Sequence, residues 1–265
     1  MPYVSIEGYK LFYEMQGQGE SSLIFIHGLC GDHSVWSKNI PAFIDDCKTA
    51  ALDMFGHGDS EKNIDPEKAF QSMPGAIERL IEKEDLRNVV LIGHSIAGNI
   101  LLSCMEQNIK NIRGYVFVDC AFNASQAVVE SRNKFADSLL GEPDDRRGSA
   151  VRTWYQTMMD MDAPVSDNEL IFSALEKTDG RWTMNFLKAS NFVRAVPQTG
   201  LPVLIFESDW LTKDQPERAF SKVLPGAEKS HWPVSNHFFF VYEAEKFNKR
   251  LKEFLEKVFS KNPGK

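Results

Sequence analysis

The stretch Val89-Val90-Leu91-Ile92-Gly93-His94-Ser95-Ile96-Ala97-Gly98 constrains this chain more than any other. A β-branched apolar run stops at Gly93, and a helical pattern begins after Ser95. The segment therefore predicts a strand, a hairpin-tight turn and a helix, with a hydroxyl at the apex. Gly93 and Ala97 stand at positions −2 and +2 from the serine. Small neighbours let so sharp a turn close, and its strained backbone projects the hydroxyl past the edge of the sheet. A base from elsewhere in the chain can reach a hydroxyl placed there.

Apolar runs and helical periods alternate over the first half of the chain. Tyr3 to Ile6 and Lys10 to Met15 read as two strands about Glu7-Gly8. Leu23-Ile24-Phe25-Ile26 is an unbroken apolar run, the pattern of a strand buried on both faces. Val35 to Ile44 suggests a helix that Pro41 must kink, and Thr49 to Leu52 a weaker strand ending at Asp53. Pro66 to Glu84 is helical in period with a break expected at Pro74, Ser95 to Asn108 is a helix, and Gly114 to Val118 is a strand. The alternation then stops. From about Phe122 to Pro197 the chain is rich in Trp, Met and Phe and is punctuated by Gly141, Pro143, Gly148 and Pro164. A strand pattern returns at Leu201 to Phe206, and the amphipathic stretch Tyr242 to Val258 is a helix. Strands alternating with helices predict an α/β fold with a mostly parallel sheet. On this reading residues 1–121 and 199–265 form the core, and residues 122–198 form a helical lid inserted between two core strands.

Composition removes several function classes. The formal net charge of −7 argues against a nucleic-acid partner. No apolar stretch approaches the roughly 20 residues that span a bilayer. Met1 to Glu7 has neither a basic start nor an apolar signal core, so cytoplasmic residence is the expectation. Cys30, Cys47, Cys104 and Cys120 show no CxxC spacing, which predicts reduced, buried thiols rather than metal ligands. No HExxH or paired-His pattern appears, and neither a metal nor a cofactor is expected.

Gly93-His94-Ser95-Ile96-Ala97 resembles the nucleophile elbow of the α/β-hydrolase family, with Ala97 in the place of the usual second glycine. Three further segments occur in the family's order. His27-Gly28-Leu29-Cys30-Gly31 is similar to its His-Gly-x oxyanion loop. Asp53-Met54-Phe55-Gly56-His57-Gly58-Asp59-Ser60 is similar to its Asp-x-x-Gly-x-Gly-x-Ser loop. The segment from His237-Phe238 to Glu243 resembles its closing histidine segment. The resemblance implies a twisted sheet of about eight strands, helix-covered on both faces. It also implies a triad in chain order Ser, acid, His.

Ser95 is then the nucleophile, and it requires a base oriented by an acid. His237 is the expected base and His231 its competitor. For the acid, Asp209 after the strand Val203 to Phe206 fits best, although the glycine of the family's Gly-x-x-Asp turn is missing there. Asp119, ending the preceding strand, is the alternative, and Asp214 is third. The backbone N–H groups of Ile96 and Leu29 are the expected oxyanion donors. Asp53, His57, Ser60, His27 and His94 read as structural. The expected activity is that of a serine hydrolase acting on a small or medium apolar carboxylic ester through an acyl-enzyme. A lactone, amide or C–C bond hydrolase and a cofactor-free haloperoxidase are the alternatives on the same fold. A ligand-binding receptor that keeps the pocket is the alternative of another class. The partner in each case is a small molecule. A neutral histidine base predicts kcat/KM rising through an apparent pKa of about 6–7.5.

Overall fold

The continuous apolar runs become the inner strands of one eight-stranded sheet. The strands are β1 (Tyr3–Ile6), β2 (Tyr9–Gln16), β3 (Ser21–Ile26), β4 (Cys47–Leu52), β5 (Val89–His94), β6 (Ile112–Val118), β7 (Val203–Ser208) and β8 (Glu228–Trp232). Their order is β1-β2-β4-β3-β5-β6-β7-β8, with β1 and β2 antiparallel and every pairing from β4 to β8 parallel. The computed structural model describes residues 2–121, 125–192, 195–214, 216–224 and 226–260. Phe122, where the insertion is expected to begin, lies outside them.

Helices α1 (Pro66–Lys83) and α2 (Ala97–Gln107) pack on the sheet and on each other. Between β6 and β7 the chain forms α3 (Gln126–Leu140), α4 (Asp144–Gln156), α5 (Val165–Glu176) and α6 (Gly180–Ala189). After β7 come α7 (Asp209–Asp214), α8 (Phe239–Tyr242) and the closing α9 (Ala244–Ser260). Helices flank both faces of the sheet. Phe247 of α9 lies against Phe206 of β7 and against Trp36, and all three rings are buried.

Three local expectations change. Pro74 does not break α1; the helix runs through it. An internal proline costs about 3 kcal/mol, and each large apolar side chain buried returns roughly 1.5–3. Phe70, Met73, Ile77, Leu80 and Ile81 are all buried on that face, so packing outweighs the lost hydrogen bond. Val35 to Ile44 is not a helix but two 3-10 turns, His33–Trp36 and Ile40–Ala42, with Pro41 in the second. The helix expected over Tyr242 to Val258 is likewise divided, with Glu243 separating α8 from α9.

The order reverses at β3, whose successor β4 lies on one side and β5 on the other. In open α/β sheets such a reversal leaves a crevice at the carboxyl ends of the strands. The loops after β3, β5, β6 and β7 all begin at that edge.

Candidate active site

Ser95 has φ 55, in the left-handed region that costs a non-glycine residue energy. Its N–H donates to Val118 O at 3.0 Å, which holds the turn against β6. A Cβ added at Gly93 would come within 2.7 Å of Leu101 Cδ1 and 3.1 Å of the Ala97 methyl. That crowding explains the small residues, and the alanine at 97 fits. A Cβ at Gly28 would fall 2.6 Å from His94 Nδ1 and 3.1 Å from Ser95 Cβ. The bare glycine is what lets the β3 loop approach the serine closely.

Cys30 (φ 54) and Asp119 (φ 47) share that left-handed conformation, so three strand-end loops are strained around one point. Packed groups enforce it. His57 Nε2 accepts from Cys30 N–H at 3.1 Å, and His27 Nε2 accepts from Met54 N–H at 2.9 Å. Asp53 accepts from His33 N–H at 2.6 Å and Asp59 N–H at 2.7 Å, and Ser60 Oγ donates to Asp53 O at 2.6 Å. Burial holds the His27, His57 and His94 imidazoles below their ordinary pKa, His57 at about 3. They therefore act as neutral donors and acceptors.

His237 lies in the loop before α8, with both main-chain polar groups engaged. Its N–H donates to Met158 O at 2.7 Å, and its carbonyl accepts from His94 Nε2 at 3.0 Å. Its Nδ1–H donates to Asp119 Oδ2 at 2.6 Å. The Asp119 carboxylate also accepts from Ser208 N–H at 2.8 Å and Ser208 Oγ at 2.9 Å. Both partners are buried. Burial pushes the imidazole well below its usual pKa, and the nearby charges of Arg218 and Arg132 push the same way. Burial lifts the Asp119 carboxyl, against the two Ser208 hydrogen bonds.

The contact expected of Asp209 is thus made by Asp119. The physical reason is the length of β7. It runs through Ser208 without a glycine turn, so Asp209 opens α7 directly, its N–H bonded to Val234 O at 3.1 Å. Its carboxylate meets Lys213, one turn along the same helix, at 2.7 Å and His231 at 3.1 Å. The competing histidine thus pairs with the acid expected first, and neither is among the residues lining the cavity that holds Ser95. The side chain of Asp214 lies outside what the structure describes.

Ser95, His237, Leu29 and Ile96 all line one cavity of about 390 Å3. Ile96 is the N-cap residue of α2, next to the serine. The insertion supplies much of the opposite wall through Phe135, Trp154, Tyr155 and Met158. The Tyr155 hydroxyl donates to Leu29 O, tying α4 to the β3 loop. The sequence reading passed over Trp210, whose ring lies 4.6 Å from that of His237, and Arg132 and Arg218, which also line the cavity. None of them belongs to a motif. Among the described residues no group of three or more His, Cys, Asp or Glu side chains is placed to hold a metal ion, and no helix is long and apolar enough to cross a membrane.

A family model described as alpha/beta hydrolase fold matches residues 22–244. A dihydrolipoyllysine-residue acetyltransferase component of an acetoin cleaving system, from Cupriavidus necator, is 29% identical over 37% of this chain. That match spans only 26% of the relative's length. A non-heme chloroperoxidase of Kitasatospora aureofaciens is 24% identical over 95% of this chain and 98% of its own. Among solved structures, an esterase from Exiguobacterium antarcticum superposes with a TM-score of 0.82 at 17% identity, covering 96% of this chain and 98% of that one.

Proposed function

The chain belongs to the alpha/beta hydrolase fold family, and on that premise we propose that it is a serine hydrolase cleaving a small or medium carboxylic ester. One observation carries the reading. A strained Ser95 and a buried His237 line the same cavity, and Nδ1 of that histidine lies 2.6 Å from Asp119.

In the proposed reaction, Ser95 Oγ attacks the ester carbonyl as Nε2 of His237 takes its proton. Asp119 fixes the tautomer and steadies the imidazolium. The Leu29 and Ile96 N–H groups receive the oxyanion, each worth about 2.7–4 kcal/mol in comparable sites. Collapse breaks the C–O bond, and the alcohol leaves with the proton from His237. Water then attacks the acyl-serine, giving its proton to His237, and the acid departs as Ser95 recovers its hydrogen. Burial keeps the His237 imidazole neutral at pH 7, the form in which a base must start. The insertion acts as a lid in the sense that it walls the cavity. Its apolar rings suit an uncharged chain beside the ester, a volume of about 390 Å3 admitting a small or medium substrate.

The test uses p-nitrophenyl esters of increasing acyl length and a fluorophosphonate probe on wild type and Ser95→Ala. Multiple turnovers and labelling are expected in wild type, with both lost in the variant and the rate down by at least about 10^4. Labelling without turnover would replace the enzyme reading with that of a receptor. Turnover that survives in Ser95→Ala would end the proposal.

A further inference from the structure

A backbone oxyanion donor works only while its N–H points at the developing charge, and the peptide units on either side of its Cα set that direction. For Leu29 both units are held. The Gly28 carbonyl accepts from Gly31 N–H at 3.1 Å and from His27 Nδ1–H at 2.7 Å, since His27 Nε2 is already the acceptor for Met54 N–H. The unit is trans, so Leu29 N–H points away from those partners. The next unit, Leu29–Cys30, is gripped at both ends. Its N–H donates to His57 Nε2 at 3.1 Å, and its carbonyl accepts from the Tyr155 hydroxyl. His57 is anchored in turn by Nδ1–H, which donates to Phe55 O at 3.1 Å. Gly31, His27 and His57 belong to the loops after β3 and β4. Tyr155 comes from α4 in the insertion, 126 residues further along the chain. It acts where the backbone needs support, because Cys30 has φ 54 and would relax by rotating the peptide that Tyr155 and His57 grip. Burial lifts the phenol well above its ordinary pKa, so the group remains a donor at every working pH.

We propose that Tyr155 is a positioning residue for the reaction: its hydroxyl fixes the Leu29–Cys30 peptide and thereby aims Leu29 N–H, so the oxyanion hole is complete only while α4 is seated on the β3 loop. This inference rests on the hydrolase reading above and gives the insertion a part in catalysis besides walling the cavity. Without the hydroxyl, the Leu29 carbonyl loses its donor from the insertion, the strained turn is free to rotate, and the N–H swings off line. The oxyanion exists only after Ser95 has attacked, so the loss falls on the transition state and leaves ground-state binding alone.

The test is Tyr155→Phe, which deletes one oxygen and keeps the ring that packs edge-on against Trp154 at 5.4 Å. With p-nitrophenyl butyrate, kcat and kcat/KM should fall together by about tenfold or more, with KM within about threefold of wild type. The inhibitor 1,1,1-trifluorohexan-2-one supplies a second readout. Its carbonyl carbon takes Ser95 Oγ and its oxygen becomes an oxyanion, while His237 holds the proton. Its affinity should drop by a factor similar to that in kcat/KM. The acid limb of the pH profile should stay in place, because His237 keeps its partners. Lys38→Ala is the control. It cuts another tie between core and insertion, the 2.6 Å pair with Asp167 of α5, and should lower Tm with kcat unchanged. Equal losses of kcat in the two variants would mean general loosening and overturn the inference. So would a loss in Tyr155→Phe confined to KM, which would make the hydroxyl a substrate contact, or a shifted acid limb, which would make it a partner of His237. Wild type that turns over no ester ends the hydrolase reading itself. Active wild type with Tyr155→Phe its equal ends this inference alone.

Discussion

Two histidine–aspartate pairs have their acids at the ends of neighbouring strands, and they differ in almost everything except composition. Asp119, after β6, and His237, in the loop before α8, have side chains 0% and 5% exposed, 2.6 Å apart. His231 and Asp209, at the ends of β8 and β7, are 57% and 10% exposed and 3.1 Å apart, with Lys213 sharing the carboxylate. Solvent and a lysine dilute the second pair, whereas the first is buried and its carboxylate is held by two hydrogen bonds from Ser208. The difference teaches that an acid–base unit is made by what is excluded around it as much as by its two residues.

The largest break in the comparison should come from the acids. Asp119→Asn is expected to lower kcat by about 10^3–10^4, by presenting the wrong tautomer of His237. Asp209→Asn should stay within about threefold, as surface pairs contribute little. Equal losses at the two sites would return the acid role to open choice. Next come the bases, where His237→Ala should abolish ester turnover and His231→Ala should leave it intact.

The pH profile sharpens the contrast further. Burial and two arginines hold His237 below the ordinary 6.5 of an imidazole, so its neutral form persists on acidification. The acid limb of kcat/KM should lie below about pH 6, lower than the bare sequence suggests, and assays must reach about pH 4 to see it. A limb above pH 7 would contradict the burial argument.

Stability should follow the same sign. His57, held at about 3, is neutral in the folded protein, but an unfolded chain protonates it below about 6.5. Its contribution is complete above 6.5 and is lost as pH falls from there toward 3, by about 2 kcal/mol at pH 5. The buried His27 and His94 add in the same direction. Thermal melts should show Tm falling between pH 7 and 5.

The smallest expected effects concern two salt bridges of similar length. Lys177 reaches the wholly buried Asp32 at 2.6 Å from the segment after α5, whereas Lys188 meets the exposed Asp137 at 2.5 Å. Lys177→Ala should lower stability by about 1–2 kcal/mol, because Asp32 cannot recover water, and Lys188→Ala by about 0.5 or less. Urea melts of both variants measure the gap.

What the sequence made legible was local. Ser95, Leu29 and Ile96 sit in short segments where glycine spacing and an apolar run dictate a turn, and all three face the cavity. The sheet was legible because unbroken runs such as Leu23 to Ile26 have few alternatives. The choice between Asp119 and Asp209 was not, since each follows a strand. The outcome turned on β7 extending two residues beyond its apolar run, to a serine that donates twice to Asp119. Pro74 misled because a local rule yields to five buried neighbours. Arg132 and Arg218 carried no signal, as neither lies in a periodic or motif position, and only the fold brings them together.

The amide of His237 is bonded to a carbonyl of the inserted segment, Met158 O. No side-chain substitution deletes that tie, and no exchange of the insertion leaves it neutral. A chimera carrying another member's insertion on this scaffold transplants a main-chain acceptor together with a new ceiling. Where the graft offers no oxygen at that spot, it keeps a well-formed serine turn beneath an imidazole that has lost one of its moorings, so redesign of selectivity here has to begin with the backbone trace after α4.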